Sequence, residues 1–130
     1  MIFFGHRFIE SELFYHISSI DAIQNTPPSS TVYIEYCEDN LEIIKHTISN
    51  EVKTALHVEN ITQVVYASAL GASYIVVSKT IATSAQNIAQ NYLFDAKILV
   101  SIDDESDIEE LALTGIDGVI CSNAIIKINS

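Results

Sequence analysis

Basic residues are scarce in this chain: six Lys or Arg face 17 Asp or Glu over 130 residues, a formal charge of −11. A field of that sign repels nucleic acid and anionic membranes, so neither is expected as a partner. Cysteine is nearly absent. Cys37 and Cys121 lie far apart, with no C-x-x-C spacing and no cluster of ligands beside them. That favours two reduced thiols over a disulfide framework, and no metal site is expected. Long hydrophobic runs are missing too: the longest hold four or five residues, where a membrane helix needs roughly 20. Met1–Phe4 is apolar but runs straight into Gly5-His6-Arg7, unlike a secretory signal, and the expected location is the cytoplasm. No Pro-, Gly- or Ser-rich linker divides the chain, so residues 1–130 read as one domain, long enough to bury a core.

Nucleotide signatures are absent as well. No Gly-x-Gly-x-x-Gly follows a strand, no Gly-Lys-Ser/Thr loop exists, and there is no Gly-x-Ser-x-Gly elbow. Dinucleotides, P-loop nucleotides and the serine-hydrolase elbow have no support, and no cofactor is expected.

What the chain does have is alternation. Ile2–Gly5, Thr31–Cys37, Lys53–Val58, Tyr74–Ser78, Lys97–Ile102 and Gly118–Cys121 read as six strands rich in β-branched or aromatic residues. Between them lie stretches of helical period, such as Leu41, Ile44 and Ile48, or Ile81, Ala85, Ile88 and Ala89. Leu13, Ile17 and Ile20 predict a first helix over Glu10–Gln24, ended by Pro27-Pro28. Strands recur about every 22 residues, and ASALGASYIVVSK (67–79) aligns with LALTGIDGVICSN (111–123), matching Gly71 to Gly115. The fold class is therefore α/β: a single parallel sheet of about six strands with helical crossovers. Two architectures fit, a partial (βα) barrel and an open doubly wound sheet. A partial barrel would leave an apolar inner face uncovered, which predicts a homodimer.

In either architecture ligands bind at the carboxyl ends of the strands. Candidate catalytic residues are His6 at a strand end and Glu35 and His57 as polar residues within strands, with a strand-end histidine suited to acid–base work. His16 and His46 fall within predicted helices. Arg7, Ser78, Lys79, Thr80 and Ser122 are candidate ligand-binding residues. Most helix starts carry acids, whereas Ser78-Lys79-Thr80 offers hydroxyls and a cation where a helix begins, a setting that suits a phosphate or carboxylate. The acidic run Asp103–Glu110 reads as a solvated helix start.

The segment TGIDGVICSNAIIK (114–127) resembles the last strand and loop of phosphate-binding (βα) barrels. The two chain ends, FFGHRF and GIDGVI, resemble those of glycerophosphodiester phosphodiesterases, which begin with a strand ending in His-Arg-Gly. That resemblance implies a catalytic role for His6 and a phosphate contact for Arg7. Phe8 stands where the family has glycine, and Glu35-Tyr36-Cys37 stands where it has a Glu-x-Asp metal pair. No complete catalytic motif is present. The reading is a non-catalytic homo-oligomeric binding or scaffold protein, with a small phosphodiesterase-like or phosphate-ligand enzyme as the alternative.

Overall fold

A computed structural model of the chain describes residues 1–128. Among them, one sheet holds eight parallel strands: β1 (Ile2–Phe4), β2 (Phe14–His16), β3 (Thr31–Glu35), β4 (Thr54–His57), β5 (Tyr74–Val77), β6 (Lys97–Ile102), β7 (Gly118–Cys121) and β8 (Ile125–Lys127). Helices α1 (Leu41–Ser49), α2 (Ile61–Leu70), α3 (Ala82–Asn91) and α4 (Ile108–Thr114) follow β3, β4, β5 and β6 in turn. The α/β class and the single parallel sheet are as expected from the sequence, but the sheet has eight strands rather than about six.

Both additional strands are short. β2 lies inside the stretch predicted as a first helix. Three apolar residues at helical spacing are a weak signal beside Phe14-Tyr15-His16, whose rings suit a pleated surface. β3 on one side and β8 on the other also take up β2's backbone groups, so tertiary pairing decides the conformation. β8 is three residues long, with the 3-10 turn Ser122–Ala124 directly before it.

The strand order β1-β7-β6-β5-β4-β3-β2-β8 runs from β2 to β7 without reversing. A doubly wound sheet reverses at a switch point, so that alternative does not form. The sheet curls instead. β7 and β8 stand six places apart in the order, which is about 29 Å across a flat sheet at about 4.8 Å per strand. The chain from Cys121 to Ile125 spans at most roughly 14 Å. Only a curled sheet lets so short a connection reach. The result is a half-barrel, with helices behind four of its eight strands.

Side chains across the interior record the curl. The Tyr74 ring, on the central strand β5, lies 5.5 Å from Phe4 on the edge strand β1 and 5.3 Å from Phe14 on β2. Phe4 and Phe14 meet at 4.7 Å. Tyr33, Ala55, Val76, Leu99, Ile120 and Ala124 complete this buried inner cluster. A second core, including Val32, Ile34, Leu56, Ile75, Val77, Ile98 and Val100, fills the space between sheet and helices. The inner face that the sequence left in need of a cover is thus buried by the chain's own curl. At the seam between β1 and β8, a side chain on Gly5 would come within 2.9 Å of Ala124 Cβ.

The four helices end alike. In each, a left-handed residue closes the helix and the next N–H reaches back to the last turn: Val52 to Thr47, Ala72 to Ala67, Phe94 to Ala89 and Ile116 to Leu111. The left-handed residues are Glu51, Gly71, Leu93 and Gly115, the Schellman arrangement. The 44-residue match of Gly71 to Gly115 is therefore every second occurrence of a shorter βα repeat, in which Glu51 and Leu93 fill the same role without glycine's freedom. A left-handed L-residue costs roughly 1–2 kcal/mol, while glycine's extra unfolded-state entropy returns about 0.5–1 kcal/mol of that. Leu93 is 85% exposed, so little packing is at stake. Leu93→Gly is expected to stabilise the protein by about 0.5–1 kcal/mol, raising Tm by roughly 2–4 °C. Calorimetry of the two proteins side by side checks this; an unchanged or lower Tm contradicts it.

Candidate functional site

Because every strand is parallel, all the carboxyl ends lie on one rim. Two groups of polar side chains occupy it. The first surrounds β1 and β6. His6 is nearly buried, between the rings of Phe3 and Phe8 at 5.7 and 5.1 Å. Its Nδ1 accepts the Phe8 N–H at 3.1 Å, and Nε2 lies 3.2 Å from the Glu105 carboxylate. Both ring nitrogens are thus engaged. Arg7 donates twice to Glu105, at 2.8 and 3.2 Å, with its guanidinium 4.2 Å above the Phe8 ring. Lys79 donates to Asp107 at 2.9 Å and lies 3.6 Å from Glu110. Arg7 holds the Glu105 carboxyl below its ordinary value by hydrogen bonding and charge. The acidic run is thus more than a solvated helix start: it binds both cations that the sequence offered for an anion. Ser78 and Thr80 hydroxyls bond each other at 2.7 Å. Ser122 opens the turn into β8.

The second group lies on the inner face of β8, β2, β3 and β4. Glu35 and His57 are register partners, and Glu35 Oε2 accepts from His57 Nδ1 at 2.6 Å. An ionised carboxylate only accepts, so Nδ1 carries the hydrogen in this contact and Nε2 is the outer ring nitrogen. His57 Nε2 has no hydrogen-bond partner among the described residues. Tyr33 lies beneath, its ring 6.1 Å from that of His57 and nearly parallel. Burial pushes the Tyr33 phenol well above its ordinary value, with Glu35 adding to the shift, so it stays protonated. On the other side, the His16 ring meets Tyr33 edge-on at 5.0 Å. Burial lowers the His16 pKa, Lys127 and His57 lower it further, and Glu35 partly offsets them.

The sequence therefore identified Glu35 and His57, which the fold brings into contact. It offered His6, Arg7 and Lys79 on the same rim as a site for an anion, and the structure puts them in a separate group paired with carboxylates. It missed His16 and Lys127, because β2 read as helix and β8 was not seen. The aromatic run Phe14-Tyr15-His16 was the available signal. Asp117, within the GIDG stretch, has a structural duty: its carboxylate accepts the Ile98 N–H at 2.9 Å and its own N–H donates to the buried Gln86. Among the described residues no three His, Cys, Asp or Glu converge to hold a metal ion. No helix among them is long and apolar enough to cross a membrane. A cleft of about 560 Å³ lies at the opposite end of the strands, lined by Pro27, Pro28, Ser29, Glu51 and Lys53 among others.

His16 carries a pH signature. Its folded value lies below the ordinary 6.5, so its contribution to stability is full above about pH 6.5 and is lost as pH falls through the folded value. Between pH 7 and pH 5 the wild-type Tm is expected to fall more steeply than that of His16→Gln; parallel profiles contradict it. No family model matches this chain, and no curated protein matches it.

Proposed function

We propose that this protein is a small-ligand half-barrel that carries out acid–base chemistry at its carboxyl rim, with His57 as the base and Glu35 as its orienting partner. The 2.6 Å contact between Glu35 Oε2 and His57 Nδ1 carries this reading. It fixes the tautomer in which Nε2 can take a proton from a substrate hydroxyl or activated C–H, leaving an imidazolium that the Glu35 carboxylate stabilises. The likeness of FFGHRF and GIDGVI to the ends of glycerophosphodiester phosphodiesterases supports a phosphate ester as the substrate class. His6 serves as a fixed rim residue in this reading.

A second reading, a non-catalytic binding or scaffold protein, is favoured by the pairing of Arg7 and Lys79 with carboxylates. In that reading the protein is a homodimer, and exposed Phe8, Ile9 and Leu13 in the β1–β2 connection supply an apolar contact surface. A cytoplasmic setting suits both readings, since Cys37 and Cys121 are unpaired thiols.

Turnover of chromogenic phosphate mono- and diesters separates the two. In the enzyme reading His57→Ala lowers the rate by about 10²–10⁴-fold. Nitrogen-15 spectra should also report the Nδ1–H tautomer of His57 in wild type and its loss in Glu35→Ala. Absence of turnover together with a dimer mass by light scattering would favour the scaffold.

A further inference from the structure

Three cations lie on the carboxyl rim of the described residues: Arg7, Lys79 and Lys127. The first two are held by carboxylates; Lys127 has no ion pair among the described residues. It ends β8, and its register partner on β2 is His16, whose own partner on β3 is Tyr33. Register partners in parallel strands point to the same face. Tyr33 belongs to the buried inner cluster, and Ile125, two residues before Lys127, packs against that cluster. Lys127, His16 and Tyr33 therefore form one row across the inner rim, with Glu35 and His57 on the next row. The His16 ring has no hydrogen-bond partner among the described residues and meets the Tyr33 ring at 5.0 Å.

We propose that Lys127 and His16 form an anion subsite that holds the phosphate of a small phosphate monoester, with the rest of the ligand directed across Tyr33 toward His57. This rests on the acid–base reading of the Glu35–His57 pair. The spacing supports it. The His16 and His57 rings lie 5.0 and 6.1 Å from the Tyr33 ring between them, a span for a short phosphorylated molecule whose reacting group lies several atoms from its phosphate. The charges support it as well. Glu35, whose charge favours a proton on His16, accepts a hydrogen bond from His57 and lies on β3, two strands from Lys127. A dianionic phosphate beside His16 favours a proton on the ring, giving the anion a second cation when it binds. Tyr33, protonated and flat, forms an uncharged floor between the two ends.

Inorganic phosphate is the probe. Ring resonances of the four histidines are followed by NMR at pH 7 and constant ionic strength as phosphate is added to wild type, Lys127→Ala, Lys127→Arg, Arg7→Ala, Lys79→Ala and His57→Ala. The expected result is a saturable movement of His16 toward its protonated position. Lys127→Ala should weaken it about tenfold, Lys127→Arg should retain it, and Arg7→Ala and Lys79→Ala should leave it unchanged. Phosphate that shifts His6 rather than His16, that binds Lys127→Ala as tightly as wild type, or that produces no saturable shift at millimolar concentration overturns the subsite. His57→Ala separates this proposal from the one beneath it. Loss of turnover with the His16 response intact supports both; a wild-type response in Lys127→Ala removes the subsite and leaves the base standing.

Discussion

The short connection from β7 to β8 is the constraint on which this structure depends. A three-residue turn between strands six places apart in the sheet order leaves the sheet no option but to curl. The curl brings Phe4, Phe14 and Tyr74 together, and these rings in turn fill the interior that a flat sheet would have exposed. Aromatic contacts of this kind add roughly 0.5–1.5 kcal/mol each beyond their burial. They are also what turns eight parallel strand ends into a ring of side chains facing a common centre.

Charge on that ring is divided unevenly. Around β1, β5 and β6 the acids of the run Asp103–Glu110 hold Arg7 and Lys79 in ion pairs and outnumber them, so the local field stays negative. Exposed pairs of this sort add little to stability. Around β2, β3, β4 and β8 the inventory differs: two imidazoles, one carboxylate, one phenol and one ammonium. Burial keeps His16 and Tyr33 in their neutral forms. That half of the rim consequently carries uncharged rings, in a protein whose overall charge is strongly negative.

Much of this was legible in the residues. β3 to β7 are runs of β-branched and aliphatic residues bounded by turn signals, and their helices carry clear apolar stripes, so local pattern and tertiary structure agree. The stretch around Phe14 shows the opposite case. Leu13, Ile17 and Ile20 have helical spacing, but the vacancy between β3 and β8 exists only once the whole sheet has formed, and no window on the sequence contains it. The same holds for Lys127, which three residues of edge strand bring beside His16. Glu35 and His57 stand out in the sequence as polar residues inside apolar strand runs; that they touch follows from a register no composition reveals.

The seam between β1 and β8 has a consequence for assembly. The units from β3 to β7 pair in chain order and close loops of modest length, so they can form early. β1 joins β7 from the opposite end of the sequence, and β8 joins β2 likewise. These two pairings close the longest loops in the molecule, which places them late in folding. Phe4 and Phe14 can then reach Tyr74 only when the barrel is nearly complete. The interior would be the last part to lose its water, and the row of Lys127, His16 and Tyr33 would not be complete until that moment.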